Sequence, residues 1–242
     1  MAATTLSDYQ RHIDRAIKAW GGRAITAITR RDVSDLISNY PEVTRNRTRN
    51  TLNGLFKWAL ASGYIDTNPV EGTAIATEIV QRTRLSHAQF LAIRAQAEPW
   101  LQHAMDLGLL TLQRRTDLVG LTAADVHDGG LHVRMKKTGV NLRIRLWPEL
   151  EALLPKTGPL VTRNHKPVTP DYLSRAFARA RDRVPEFAAL PAGEKPSFHE
   201  IRALGARLLE EQGKDPQLML GHLESKTTRV YLDRHKEKWI EA

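Results

Sequence analysis

The 242-residue chain has no cysteine. That excludes a disulfide framework, an iron–sulfur cluster, a thiol nucleophile and any zinc site built on thiolates. It also lacks an apolar run near the roughly 20 residues needed to cross a bilayer, and residues 1–10 are polar where a signal peptide would be apolar. A cytoplasmic protein without a membrane partner is the expectation. What is present suits a globular protein: 41% of residues are apolar, enough for a sizeable core, and 26% are charged. Lysine and arginine number 36 against 27 acidic residues, a net charge of +9. The first 80 residues hold 10 basic and 8 acidic side chains and the remainder 26 and 19, so the excess lies in the second part. With no strongly basic amphipathic helix bearing a clean aromatic face, the polyanion this charge fits is nucleic acid rather than a membrane surface.

Apolar spacing predicts two helices within residues 4–38, separated at Gly21-Gly22, and a long amphipathic helix from Val43 to Ser62 ended by Gly63. The latter carries Arg45, Arg47 and Arg49, readable as a solvated face or as phosphate contacts. Asn68-Pro69, Gly72 and a polar stretch predict a domain of residues 1–78, a linker at 79–84 and a second domain at 85–242. Ser86 reads as the cap of a helix running to Leu110. Leu131, Val133 and Met135 then alternate with His132, Arg134 and Lys136, and Leu142, Ile144 and Leu146 with Arg143 and Arg145. Period two predicts a basic β-hairpin with Lys137 at its turn. Thr169-Pro170 opens a helix to about Val184, Ser197 with Glu200 suggests a capping box for a helix ending near Gly213, and Asp215-Pro216 starts another. The fold class is mainly α with a small antiparallel hairpin, α+β.

His199 and Arg202 stand three residues apart and so share a helical face. With 9 histidines and 25 arginines, chance alone supplies about one such pair, and His12 with Arg15 is a second. What sets His199 apart is its company: Gly221-His222 follows, then Tyr231.

With Thr111-Leu112-Gln113-Arg114-Arg115-Thr116-Asp117-Leu118 and the Lys137 turn, this order resembles the tyrosine recombinases, most closely the lambda-type phage integrases. Upstream, Leu55-Phe56-Lys57-Trp58-Ala59 and Tyr64-Ile65-Asp66-Thr67-Asn68-Pro69 resemble the end of that family's helical core-binding domain. The resemblance implies a six-residue catalytic site of Arg114, Lys137, His199, Arg202, His222 and Tyr231, with Lys136, Arg45, Arg47 and Arg49 as DNA-contact candidates. It implies site-specific recombination of double-stranded DNA by a homotetramer on synapsed sites, monomeric when free, aided by accessory DNA-bending proteins in a bacterial cell or host nucleoid. No cofactor and no metal are expected; Asp117, Asp125 and Asp128 read as caps and turns. Two departures stand out. Leu112 occupies a position that is usually glycine, and the chain begins where a core-binding domain would, so an N-terminal arm-binding domain is either absent or belongs to a longer protein.

The residue types suit phosphotyrosine chemistry. A tyrosine hydroxyl of ordinary pKa about 10 needs a base or an anion-stabilising field. Two guanidiniums can hold the non-bridging oxygens of a phosphate and neutralise charge as it builds. A histidine can take the tyrosine proton, and a lysine can protonate the departing 5′ oxygen. Two readings compete: a type IB topoisomerase-like enzyme that relaxes supercoils, and a catalytically silent DNA-binding regulator with the same fold. Retention of all six groups opposes the second.

Overall fold

The computed structural model describes residues 3–78 and 83–221, and the chain divides into two compact units, Met1–Val80 and Gln81–Ala242. Among the described residues no helix is long and apolar enough to cross a membrane.

The first unit is built from α1 (Ala3–Trp20), α2 (Arg30–Ser38) and α3 (Glu42–Ala61). Thr29 and Asp32 cap α2 reciprocally, each side chain taking the other's backbone N–H, which satisfies two of the donors a helix start leaves open. Val33, Leu36 and Ile37 of α2 meet Leu52, Phe56 and Ala59 of α3, and Ile65 and Val70 close the cluster beyond it. Spacings of three and four put these residues on one side of each helix. α1 docks on α3 with a polar contact at its centre: His12 is buried, with Nδ1 2.9 Å from Thr48 Oγ1.

The second unit opens with α4 (His87–Ala95) and α5 (Pro99–Thr111). One helix from Ser86 to Leu110 was the expectation. Pro99 divides it: proline has no N–H to continue a ladder, and Glu98 is extended in front of it. A bidentate Arg94–Asp106 pair, 2.7 Å at both contacts, then ties the two helices. The short α6 (Arg115–Leu118) leads to a three-stranded antiparallel sheet, β1 (Val126–His127), β2 (Gly130–Arg134) and β3 (Asn141–Arg145), in the order β1-β2-β3. The predicted alternation holds: Leu131, Val133, Met135 and Ile144 face the core while Arg134, Arg143 and Arg145 face out. After α7 (Pro148–Glu151), a two-residue hairpin, β4 (Thr162–Arg163) with β5 (Lys166–Pro167), precedes α8 (Pro170–Arg181), α9 (Pro185–Ala188) and α10 (His199–Glu211).

Thr169 caps α8 as expected. The capping box at Ser197 does not form. Phe198 is the N-cap residue, in helical conformation without a side-chain cap bond, and Glu200 pairs with Arg84 at 3.3 Å. Nor does Asp215-Pro216 start a helix that continues. It yields one turn, closed by Leu220 N–H to the Pro216 carbonyl at 2.9 Å, after which Gly221 turns left-handed at φ 57°.

The core of this unit joins α5, α8 and α10 to the inner face of the sheet, through Met105, Leu107, Phe177, Ile201, Leu204, Leu131 and Val133. Phe177 meets Phe198 edge-on at 5.7 Å, and a Cβ on Gly108 would stand 3.4 Å from the Phe198 ring, so α5 passes close to the start of α10. The segment before α4 is tied to α10 as well, through Arg207 to the Leu85 carbonyl at 2.6 Å. α10 is thereby held on several sides.

Candidate active site

α10 carries two of the six candidate groups. His199 is its first residue and is exposed, whereas Arg202, on the same helical face, retains 1% exposure. The Arg202 guanidinium donates from Nη1 to the Leu112 carbonyl and from Nη2 to the Leu220 carbonyl at 2.6 Å. Burying a cation is costly unless its donors are satisfied; here two backbone carbonyls accept from it and fix the plane of the fork. Leu112 lies two residues before Arg114 and Leu220 two before His222. One side chain therefore joins two of the chain segments that carry candidate groups.

Arg114 is half-buried at the N-cap of α6, with Nη1 3.7 Å from Met135 Sδ. Met135 begins the hairpin turn that bears Lys137, a turn closed by Gly139 N–H to the Met135 carbonyl at 2.8 Å. Gly221 lies against the same residue: a Cβ there would displace the Met135 thioether, and the left-handed backbone at φ 57° favours glycine. Lys136 and Lys137 are both exposed on the turn. His222 and Tyr231 lie outside the described residues.

Two features of the site were not read from the sequence. Asp117 is not a cap but a buried tie, 3% exposed, whose Oδ1 accepts the Lys136 backbone N–H at 3.0 Å, so α6 holds the base of the lysine turn. Its Oδ2 is buried without a hydrogen-bond partner. Leu112 is left-handed at φ 55° and fully buried, a conformation costing a non-glycine residue on the order of 1–3 kcal/mol. The threonine–leucine–glutamine spacing hinted at the second through the residue usually found there; nothing flagged the first.

No family model matches the chain. Individual relatives do. The integrase of Escherichia phage HK022 is 31% identical over 258 residues, covering 97% of this chain and 71% of that protein. The integrase of Escherichia phage lambda is likewise 31% identical, covering 97% of this chain and 72% of that one. This chain belongs to the lambda-type phage integrases, a branch of the tyrosine recombinases. The integrase also superposes on a solved lambda integrase dimer bound to a COC′ core site with a TM-score of 0.88, at 29% identity over 100% of this chain and 93% of that one. It is a site-specific recombinase, α+β in fold.

Within this integrase the three arginines of α3 are not equivalent. Arg45 donates to the Ser38 carbonyl at 3.3 Å and Arg49 to Thr73 Oγ1 at 2.9 Å, while Arg47 is exposed on another side of the helix. At 100° per residue, positions two apart diverge by about 200°. The three do not make one basic stripe. Of the other aspartates, Asp125 caps a turn through Thr122 N–H and Oγ1 at 2.7 and 2.9 Å. Asp128 sits left-handed in the β1–β2 turn with Gly129. Asp128, His127 and His132 form the one potential metal-ligand trio among the described residues. Within it His127 Nδ1 lies 2.9 Å from the Asp128 carboxylate and the two imidazoles stack at 3.8 Å, while His132 Nε2 is buried without a hydrogen-bond partner.

Proposed function

We propose that this integrase cuts and rejoins duplex DNA through a 3′-phosphotyrosyl intermediate on Tyr231, with Arg114, Arg202 and His222 on the phosphate, His199 accepting the tyrosine proton and Lys137 serving as general acid. The observation that carries this reading is the double carbonyl anchor of Arg202, which gathers the approaches to Arg114 and His222 around one guanidinium. The Tyr231 oxygen attacks the scissile phosphorus, the bond from phosphorus to the 5′ oxygen breaks, and Lys137 supplies that oxygen's proton. A 5′-hydroxyl from another strand then attacks the phosphotyrosine, the tyrosine recovers its proton, and the phosphodiester is restored without ATP. The guanidiniums supply the positive charge that the transition state needs, so the reaction runs in EDTA.

Lambda integrase has been solved as a tetramer bound to a Holliday junction, at 30% identity and a TM-score of 0.87 over 100% of this chain. By that likeness four copies of the integrase synapse two DNA sites, with accessory bending proteins beside them, in the cytoplasm of a bacterial host. Residues 1–78 serve as the core-binding domain and 85–242 as the catalytic domain, with exposed Arg47 and Lys136 on DNA phosphates.

The test is cleavage of a suicide duplex in which the released strand cannot religate. Arg114→Ala and Arg202→Ala are each expected to bind DNA yet cleave at least about 100-fold more slowly, the scale seen when one oxyanion donor is removed. Parent-like cleavage by either variant overturns the assignment, and supercoil relaxation without two-site exchange would move the protein to the topoisomerase class.

A further inference from the structure

We infer that Leu112 is a positioning residue for the recombination chemistry, a peg whose side chain locks the loop carrying Arg114 to the turn that precedes His222. Three observations converge on it.

First, the backbone at Leu112 is left-handed at φ 55° and ψ 24°, where side chains rarely go. Its N–H still closes α5 on the Gly108 carbonyl at 3.0 Å, so the residue ends the helix in the manner usual for glycine. A leucine held in that conformation needs side-chain contacts that offset its strain. Second, that side chain is fully buried in a small cluster with Ala206 of α10 and Leu220, flanked by Leu209 and Met219. Leu112 and Leu220 are the same two residues whose carbonyls accept from Arg202. Their side chains and their carbonyls are thus clamped together, by apolar contact in one case and by a guanidinium in the other. Third, the opposite wall is cut to fit. A Cβ on Gly205 would stand 2.5 Å from the Leu109 carbonyl oxygen and would also overlap Leu112 Cδ2, so the peg enters α10 at a glycine that the close approach of the α5 main chain requires. Glycine inside a helix is unfavourable, and the close approach accounts for it.

Leu112 therefore acts through Arg202 and its two carbonyl partners rather than on DNA. Removing the peg frees the turn before His222 to shift against Arg114 while the DNA-contacting surface stays as it was. Leu112→Gly suits the left-handed backbone and deletes only the side chain; Leu112→Met refills the space.

The inference rests on the assignment of Arg114, Arg202 and His222 made above, and the experiment separates the two. Single-turnover cleavage of a suicide duplex is measured at saturating protein, below the melting temperature of every variant, together with DNA affinity. Leu112→Gly is expected to lower the cleavage rate constant at least ten-fold with DNA affinity within two-fold of the parent, and Leu112→Met to restore the rate to within three-fold. Parent-like cleavage by Leu112→Gly overturns the inference, as does a Leu112→Met variant that folds yet is as slow as Leu112→Gly. Should Leu112→Gly fail to fold, Leu112→Met against Leu112→Ala decides in the same way, the alanine variant being the slow one. If Arg114→Ala and Arg202→Ala are inactive while Leu112→Gly matches the parent, only the peg is wrong; if those arginine variants cleave normally, the site assignment is wrong.

Discussion

The carboxylate of Asp117 holds the turn that bears the lysines through a single backbone N–H. An asparagine presents the same acceptor atom, whereas alanine removes it. Asp117→Asn is therefore expected to keep urea stability close to that of the parent and Asp117→Ala to lose about 0.5–1.5 kcal/mol, the net worth of one hydrogen bond. Equal losses in both variants would show that the charge, not the acceptor, holds the turn. Asp117 also shows why this layer was not legible in the sequence. An aspartate two residues into a short helix looks like a cap, and only the fold brings it to a backbone N–H 19 residues away. The Arg202 carbonyl partners escaped for the same reason, being main-chain atoms 90 and 18 residues distant.

Elements that follow a period were legible. The helices α2, α3 and α8 and the β2–β3 hairpin stand where apolar spacing and caps place them. The β4–β5 hairpin was not read, because two-residue strands have no period; its turn rests on Asn164 and His165, both left-handed at φ 50° and 61°. The break between α4 and α5 falls at Pro99, where apolar spacing alone reads as one helix because it continues on both sides of the proline.

The α1–α3 contact supplies a pH dependence. Burial, then the Arg15 and Arg11 cations, push the His12 pKa below its ordinary value. The unfolded chain then binds a proton more readily than the folded one, so the stability of this contact is complete above the unfolded pKa of about 6.5 and declines as pH falls through the folded value. Protection factors of α1 and α3 amides, which divide out the intrinsic pH dependence of exchange, are expected to fall on acidification from pH 8 to 5.5 in the parent, and less so in His12→Asn, whose amide oxygen can accept from Arg15 as Nδ1 does at 2.9 Å. An equal fall in both would remove His12 as the cause. On α3 itself, Arg47→Ala should leave stability within about 0.5 kcal/mol and lower the slope of log affinity against log salt by about 1. Arg49→Ala should cost about 0.5–1.5 kcal/mol through the lost Thr73 bond. A salt slope unchanged by Arg47→Ala would take that residue off the phosphate backbone.

At the scale of the whole molecule, the order of Arg114, Lys137, His199, Arg202, His222 and Tyr231 along the chain signalled the family more clearly than any single element did. The relatives from phages HK022 and lambda bear that family out. The net charge of +9 pointed to a polyanion and no further. We propose that the chain breaks DNA by moving a phosphodiester onto Tyr231. The most direct test is peptide mapping by mass spectrometry of the covalent complex trapped on a suicide duplex in EDTA. One modified peptide is expected, carrying a 3′-phosphate ester on Tyr231 and missing from Tyr231→Phe. An adduct on another residue, or strand cleavage that needs added metal and leaves no adduct, would contradict it.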